Sequence, residues 1–109
     1  MEPVFYTIDN FIHNLSQIKY ITINYKFCQT SIIDKIPCEK CHYHLHIYYN
    51  LNEDEHIQHT FLDSGDELDA LVDFLSCLTM FRGYGKDAIY GYLKKIKSIY
   101  IIEYNQKIK

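Results

Sequence analysis

Tryptophan is absent from this chain of 109 residues, and glycine and proline are sparse, at four and two. No Gly- or Pro-rich linker divides it, and no low-complexity tract appears. No apolar run approaches the roughly 20 residues a membrane span requires. The start, Met1-Glu2-Pro3, has neither a basic n-region nor a long apolar h-region, so no secretory signal is expected. Without that signal, Cys28, Cys38, Cys41 and Cys77 are expected as free thiols in a reducing compartment. Neither charge sign is in large excess: the net charge is −3 and the pI about 6.0. Capture of duplex nucleic acid by bulk electrostatics is therefore disfavoured.

What is present is a globular balance, 48% apolar and 23% charged, over a length that suits one domain spanning 1–109. Charge is uneven along it. Asp63 to Asp73 is acidic, whereas Arg82, Lys86, Lys94, Lys95, Lys97, Lys107 and Lys109 make the C-terminal third basic enough to track a phosphate backbone locally.

Val4 to Ile8 is β-branched and aromatic and reads as a strand. Asp9 or Asn10 is placed to cap a short helix with Phe11, Ile12, Leu15 and Ile18 as its stripe. Tyr20 to Phe27 alternates as a second strand, and 28–41 reads as a loop containing Pro37. His42 to Tyr49 is a third strand with His42, His44, His46 and Tyr48 on one face and Tyr43, Leu45, Ile47 and Tyr49 on the other. Asn50 to Glu55 reads as a turn, and His56 to Leu62 as a strand pairing back. Ser64 and Glu67 have capping-box spacing ahead of a helix from Asp66 to Met80. Asp87 opens a second helix to about Lys97, and Ser98 to Tyr104 reads as a last strand. This order predicts an α+β domain: an antiparallel sheet of about five strands with helices packed on it, compatible with a split βαβ, ferredoxin-related element.

Two constellations carry chemistry. Side chains two apart on a strand lie roughly 7 Å from each other. His44 and His46 can thus converge on one divalent ion, neutral imidazole being a good ligand for zinc or manganese. On the second helix Ile89, Leu93 and Ile96 form an apolar stripe that includes Tyr92, with Lys95 on its flank and Tyr90 turned outward with Lys94 and Lys97. Tyr48 and Tyr49 either stack on bases or fill the strand core. Cys77 reads as a small core residue.

His44-Leu45-His46 resembles the HUH motif of endonucleases, two histidines around a hydrophobic residue. Tyr92-Leu93-Lys94-Lys95 resembles the Y-x-x-K motif of the same enzymes, and Tyr6-Thr7-Ile8-Asp9-Asn10 is similar to their first motif. In this order, over nearly the whole chain, the motifs resemble the nuclease domain of replication initiator (Rep) proteins of small circular single-stranded DNA viruses and plasmids.

The resemblance implies nicking and joining of single-stranded DNA at a replication origin, in the host cell of a virus or plasmid (the nucleus if that host is eukaryotic). His44 and His46 would hold Mg²⁺ or Mn²⁺, Tyr92 would attack the phosphate to give a 5′-phosphotyrosine link, and Lys95 would steady charge at the site. The family's acidic third ligand aligns near Lys26, so Glu39 is taken in its place, with Asp34, Asn24 and His42 as further candidates. Arg82, Lys86 and Lys94 would contact DNA, and Phe61 with Asp63 is similar to an aromatic–acidic pair that places DNA in some Rep relatives. Further copies of the chain or other replication proteins are the remaining expected partners, with no membrane. The rival reading is a zinc-stabilised binding module in which Cys38 and Cys41 are joined by Cys28, His42 or His44.

Overall fold

The computed structural model describes residues 4–28, 40–49 and 52–108. Strand β1, Phe5–Ile8, turns directly into β2, Phe11–Asn14, with Ile8 opposite Phe11. The linking residues Asp9 and Asn10 have φ of 49° and 67°. A two-residue turn with both central φ positive matches the twist of a hairpin, and Asp and Asn tolerate that region best among residues with a side chain. The helix expected from Asp9 or Asn10 to Ile18 is thus a hairpin, followed by a single 3₁₀ turn over Leu15–Gln17. No split βαβ results among the described residues, since both α-helices follow the last strand and none connects one strand to another.

Strands β3 (Ile18–Lys26), β4 (His42–Tyr49) and β5 (Asn52–Leu62) form a second sheet in that spatial order. The single sheet of about five strands is not formed: among the described residues the strands divide into a sheet of two and a sheet of three, with β2 in place of an expected helix and 98–104 helical. β5 starts inside the segment read as a turn.

Helix α1 spans Gly65–Ser76 with Ser64 at its N-cap position, and a 3₁₀ turn follows at Thr79–Phe81. Helix α2 runs from Lys86 to Ile108. It absorbs Ser98 to Tyr104, expected to be a strand. The stripe Ile89, Leu93, Ile96 continues at helical spacing to Tyr100, all packed in or against the core. That packing overrides the β preference of the isoleucines. Tyr100 also reaches past the edge of the sheet, its hydroxyl donating to Asn24 Oδ1 of β3 at 2.7 Å.

Both helices cover one face of the three-stranded sheet. On that face Tyr43, Leu45 and Ile47 are each 1% exposed or less, against Leu71, Val72, Phe74 and Leu75 of α1 and Ile89 and Leu93 of α2. Burying each such aliphatic side chain contributes about 1.5–3 kcal/mol. Tyr43 pins α2 directly, donating its hydroxyl to the Leu93 carbonyl at 3.0 Å. The hairpin packs beside this layer: Tyr6 meets Phe74 edge-on at 5.2 Å and donates to Asp73 Oδ2 at 2.7 Å. Among the described residues, no helix is long and apolar enough to cross a membrane.

Candidate functional site on the open sheet face

Strand alternation puts the β4 imidazoles on the face without helices. His42, His44 and His46 alternate with the buried Tyr43, Leu45 and Ile47. Across the sheet Asn24, His44 and Thr60 form one row, and Thr22, His46 and Gln58 the next. Gln58 pairs with His44 Nδ1 at 2.9 Å, while His46 Nδ1 is buried with no hydrogen-bond partner. Burial lowers the pKa of both rings. The charges of Lys26, His42 and His46 add to the effect at His44, and that of His56 at His46. Both imidazoles are therefore neutral at pH 7, as a metal ligand must be.

A run of ring contacts, stacked from Tyr20 to His56 and tilted at His46, crosses the same face. Tyr20 and Tyr48 lie 4.3 Å apart at 13°, Tyr48 and His56 4.9 Å apart at 25°, and His46 and His56 5.1 Å apart. Lys26 stands on this face beside His42, with which it pairs in register. Among the described side chains, Asp66, Glu67, Asp69 and Asp73 cluster on α1.

As a metal centre the face is incomplete. Among the described residues no three His, Cys, Asp or Glu side chains converge closely enough to hold an ion. His44 and His46 offer two donors, and the unpartnered His46 Nδ1 suits a ligand. Glu39, Asp34 and Cys38 lie outside the described residues. Cys41 is fully buried with its Sγ 3.4 Å from the Cys28 amide. Nothing described gathers His42 or His44 around a thiol, so no observation favours the zinc module.

Tyr92 and the histidine pair are on opposite sides of the sheet. Ile89 and Leu93 turn α2 toward the Tyr43–Leu45–Ile47 face, the reverse of the one bearing His44 and His46. Nor does Tyr92 face the sheet as its helical position suggested. It is 45% exposed and meets Phe81 at 5.7 Å, on the wall of a cavity of about 310 Å³ shared with Met80, Tyr84, Ala88 and Ile89. Tyr90, expected outward, is half-buried and bonds Asp69 of α1. Lys97, expected beside it, turns inward to Asp63 at 2.7 Å. The helix therefore sits rotated from its predicted face, because Tyr43, Tyr90 and Lys97 each fix a polar contact to the layer beneath.

The basic residues Arg82, Lys86, Lys94 and Lys95 are exposed near Tyr92 in sequence, on the 3₁₀ end and on α2. Lys86 pairs with Asp73 at 3.4 Å. Phe61 is 5% exposed in the core, and Asp63 accepts from Tyr25 at 2.8 Å as well as from Lys97. That pair has a structural account and is not free to place DNA. Cys77 is exposed rather than in the core.

Sequence reasoning missed the most buried polar group, His13 with His59, at 0% and 6% exposure. His59 lies between Ile57 and Phe61 on the apolar face of β5, a periodicity signal that was present. His13 was hidden by the false helix.

These features define an α+β domain with one helix-covered and one open sheet face. Comparison with protein-family models, with curated proteins and with solved structures gives no match to this chain.

Proposed function

We propose that the chain binds single-stranded nucleic acid on the open face of β3–β4–β5, with His44 and His46 as the donors for a divalent ion, Mg²⁺ or Mn²⁺, at that surface. The carrying observation is the ring run Tyr20–Tyr48–His56–His46 on that face. Rings stacked at 4.3–4.9 Å cover part of one another's faces, so an unstacked base joins the run at its exposed Tyr20 end or along the ring edges, and each stacked base is worth about 1–3 kcal/mol. Asn24, Thr22, Gln58 and Thr60 beside the rings can hydrogen-bond base edges or sugars. A duplex hides its base faces and gains little here, in keeping with the net charge of −3.

Nicking and joining through Tyr92, as in the rolling-circle initiators, is the finer form of this proposal, supported by the His-Leu-His and Tyr-x-x-Lys spacings alone. It requires the Tyr92 hydroxyl and the metal pair at one phosphate. With the sheet between them, one chain could meet that need only by lifting α2, or the tyrosine would have to come from another copy.

One experiment separates the two levels. A labelled 20-nucleotide single strand is titrated with wild type and with Tyr48→Ala in fluorescence anisotropy. The variant is expected to bind about 5- to 100-fold more weakly, the loss of one stacking platform, with Tyr92→Phe binding as wild type. Equal affinity of Tyr48→Ala and wild type would sink the proposal. The same mixtures with Mn²⁺ are run on a denaturing gel. A protein–DNA adduct made by wild type and lost in Tyr92→Phe establishes nicking, and its absence leaves binding alone.

A further inference from the structure

The deepest polar chain in the molecule lies away from the open face. The Tyr49 hydroxyl of β4 bonds His13 Nδ1, and His13 Nε2 stands 2.7 Å from His59 Nε2 of β5. His59 Nδ1 faces Asp9 Oδ2 across 3.6 Å, and Asp9 is 76% exposed at the tip of the hairpin. The proton positions follow from the partners. Tyr49 donates, so His13 Nδ1 accepts and its Nε2 carries the hydrogen. His59 Nε2 then accepts, and its Nδ1–H points at the carboxylate. The Nε2–Nε2 contact holds one proton and has no room for two.

This contact also joins two separate pieces of backbone. The hairpin shares no ladder with the three-stranded sheet and is held by side chains: Tyr6, Ile8 and His13 inward, against Phe74, His59 and Tyr49. We propose that the His13–His59 bond is an acid-operated latch, fastening the β1–β2 hairpin to the sheet while both rings are neutral and releasing it when both are protonated. The proposal is independent of nucleic-acid binding.

The surroundings supply one counter-charge, Asp9, which is 76% exposed and acts on His59 alone; no carboxylate among the described residues offsets a charge on His13. Facing the rings are Asp9 from the turn, Tyr49 from β4, and the apolar rings of Phe11 and of Phe74 from α1. Asp73, next to Phe74, is occupied by Tyr6 and Lys86, and Glu67 lies beyond Tyr6–Asp9 across a cavity of about 200 Å³ that also touches Thr60 and Phe61. Burial, and secondarily His59, push His13 down to about 4, and burial lowers His59 against the pull of Asp9. A released imidazole takes a proton near 6.5. Docking is therefore at full strength above pH 6.5 and weakens as pH falls toward 4, by up to about tenfold per pH unit for each ring. His44 and His46 titrate on the other face and touch none of these groups.

Hydrogen exchange of the full chain tests the latch. Opening equilibria for residues 5–14 and 42–49 are compared at pH 7 and pH 5 after correction for intrinsic exchange. The hairpin is expected to open about 10- to 30-fold more often at pH 5, with β4 changing less than about twofold. His13→Gln/His59→Gln, which hydrogen-bonds without titrating at either position, should abolish the difference. A rise that persists in this double variant, or a hairpin equally protected at both pH values, overturns the proposal. Should that variant already be undocked at pH 7, the wild-type imidazole titration followed by NMR decides. A His13 midpoint below 5.5 supports the latch, and one near 6.5 overturns it.

Discussion

Replacing Phe74 by alanine is expected to lower the unfolding free energy by about 3–5 kcal/mol, read as a shift of the urea midpoint at unchanged slope. The ring is fully buried and sits where three pieces meet. It belongs to α1, takes the edge of Tyr6 at 5.2 Å, and lies 6.1 Å from the His13 ring. Its removal leaves a cavity that backbone on three sides cannot close, so the packing loss adds to the lost transfer energy. Total stability for a domain of this kind is about 5–15 kcal/mol. The variant should thus keep its fold only at moderate temperature, with the hairpin loosened most. A loss below about 1 kcal/mol would show that hairpin and α1 do not share a core.

Asp63→Ala is expected to cost about 2–3 kcal/mol. Asp63 is 7% exposed, and its Oδ2 takes both the Lys97 ammonium at 2.7 Å and the Tyr25 hydroxyl at 2.8 Å. Its amide donates to the Cys41 carbonyl at 2.8 Å. The carboxylate therefore ties β3 to α2 at the end of β5, while the amide, which alanine keeps, holds the entry to β4. Alanine leaves the Tyr25 hydroxyl buried and stripped of this acceptor. Lys97 is 30% exposed and can turn to water, which keeps the cost below that of a fully buried broken pair. Lys97→Met should cost less, about 1 kcal/mol, because Asp63 retains Tyr25 and the methylene stem is replaced in kind. Thermal or urea unfolding of both variants checks the order, and equal losses would show that the ion pair rather than the tyrosine bond dominates.

The central strand was legible because its alternation is strict. His42 to Tyr49 was placed residue for residue, and the separation of histidines from Tyr43, Leu45 and Ile47 followed from period two alone. The α+β class and antiparallel pairing were legible for the same reason. Two local signals misled. Asp9-Asn10 fits a helix cap and a left-handed two-residue turn equally well, and only the pairing of Tyr6 with His13 and Ile8 with Phe11 decides between them. The isoleucines of 98–104 favour strands, but Tyr100 extends the 89–93–96 stripe and the helix continues. The site was half legible. Sequence gives which face of β4 the imidazoles occupy, and the helices pack on the other, against Tyr43, Leu45 and Ile47, which separates Tyr92 from His44 and His46. The rotation of α2 that turns Tyr92 outward is set by tertiary contacts such as Tyr43–Leu93 and Lys97–Asp63, which no local pattern shows.

β3 is an edge strand with no neighbouring strand on its outer side among the described residues. A row of unpaired amides and carbonyls on such a strand is a template for pairing between molecules. The hydroxyl of Tyr100 on Asn24 lays the end of α2 across the rim of that strand. Lys19 and Lys26 stand near its two ends, and their charge opposes a second chain lining up alongside. Helix α2 therefore screens part of one sheet edge as well as covering the core, and trimming it back beyond Tyr100 is expected to leave β3 more open to pairing with another chain.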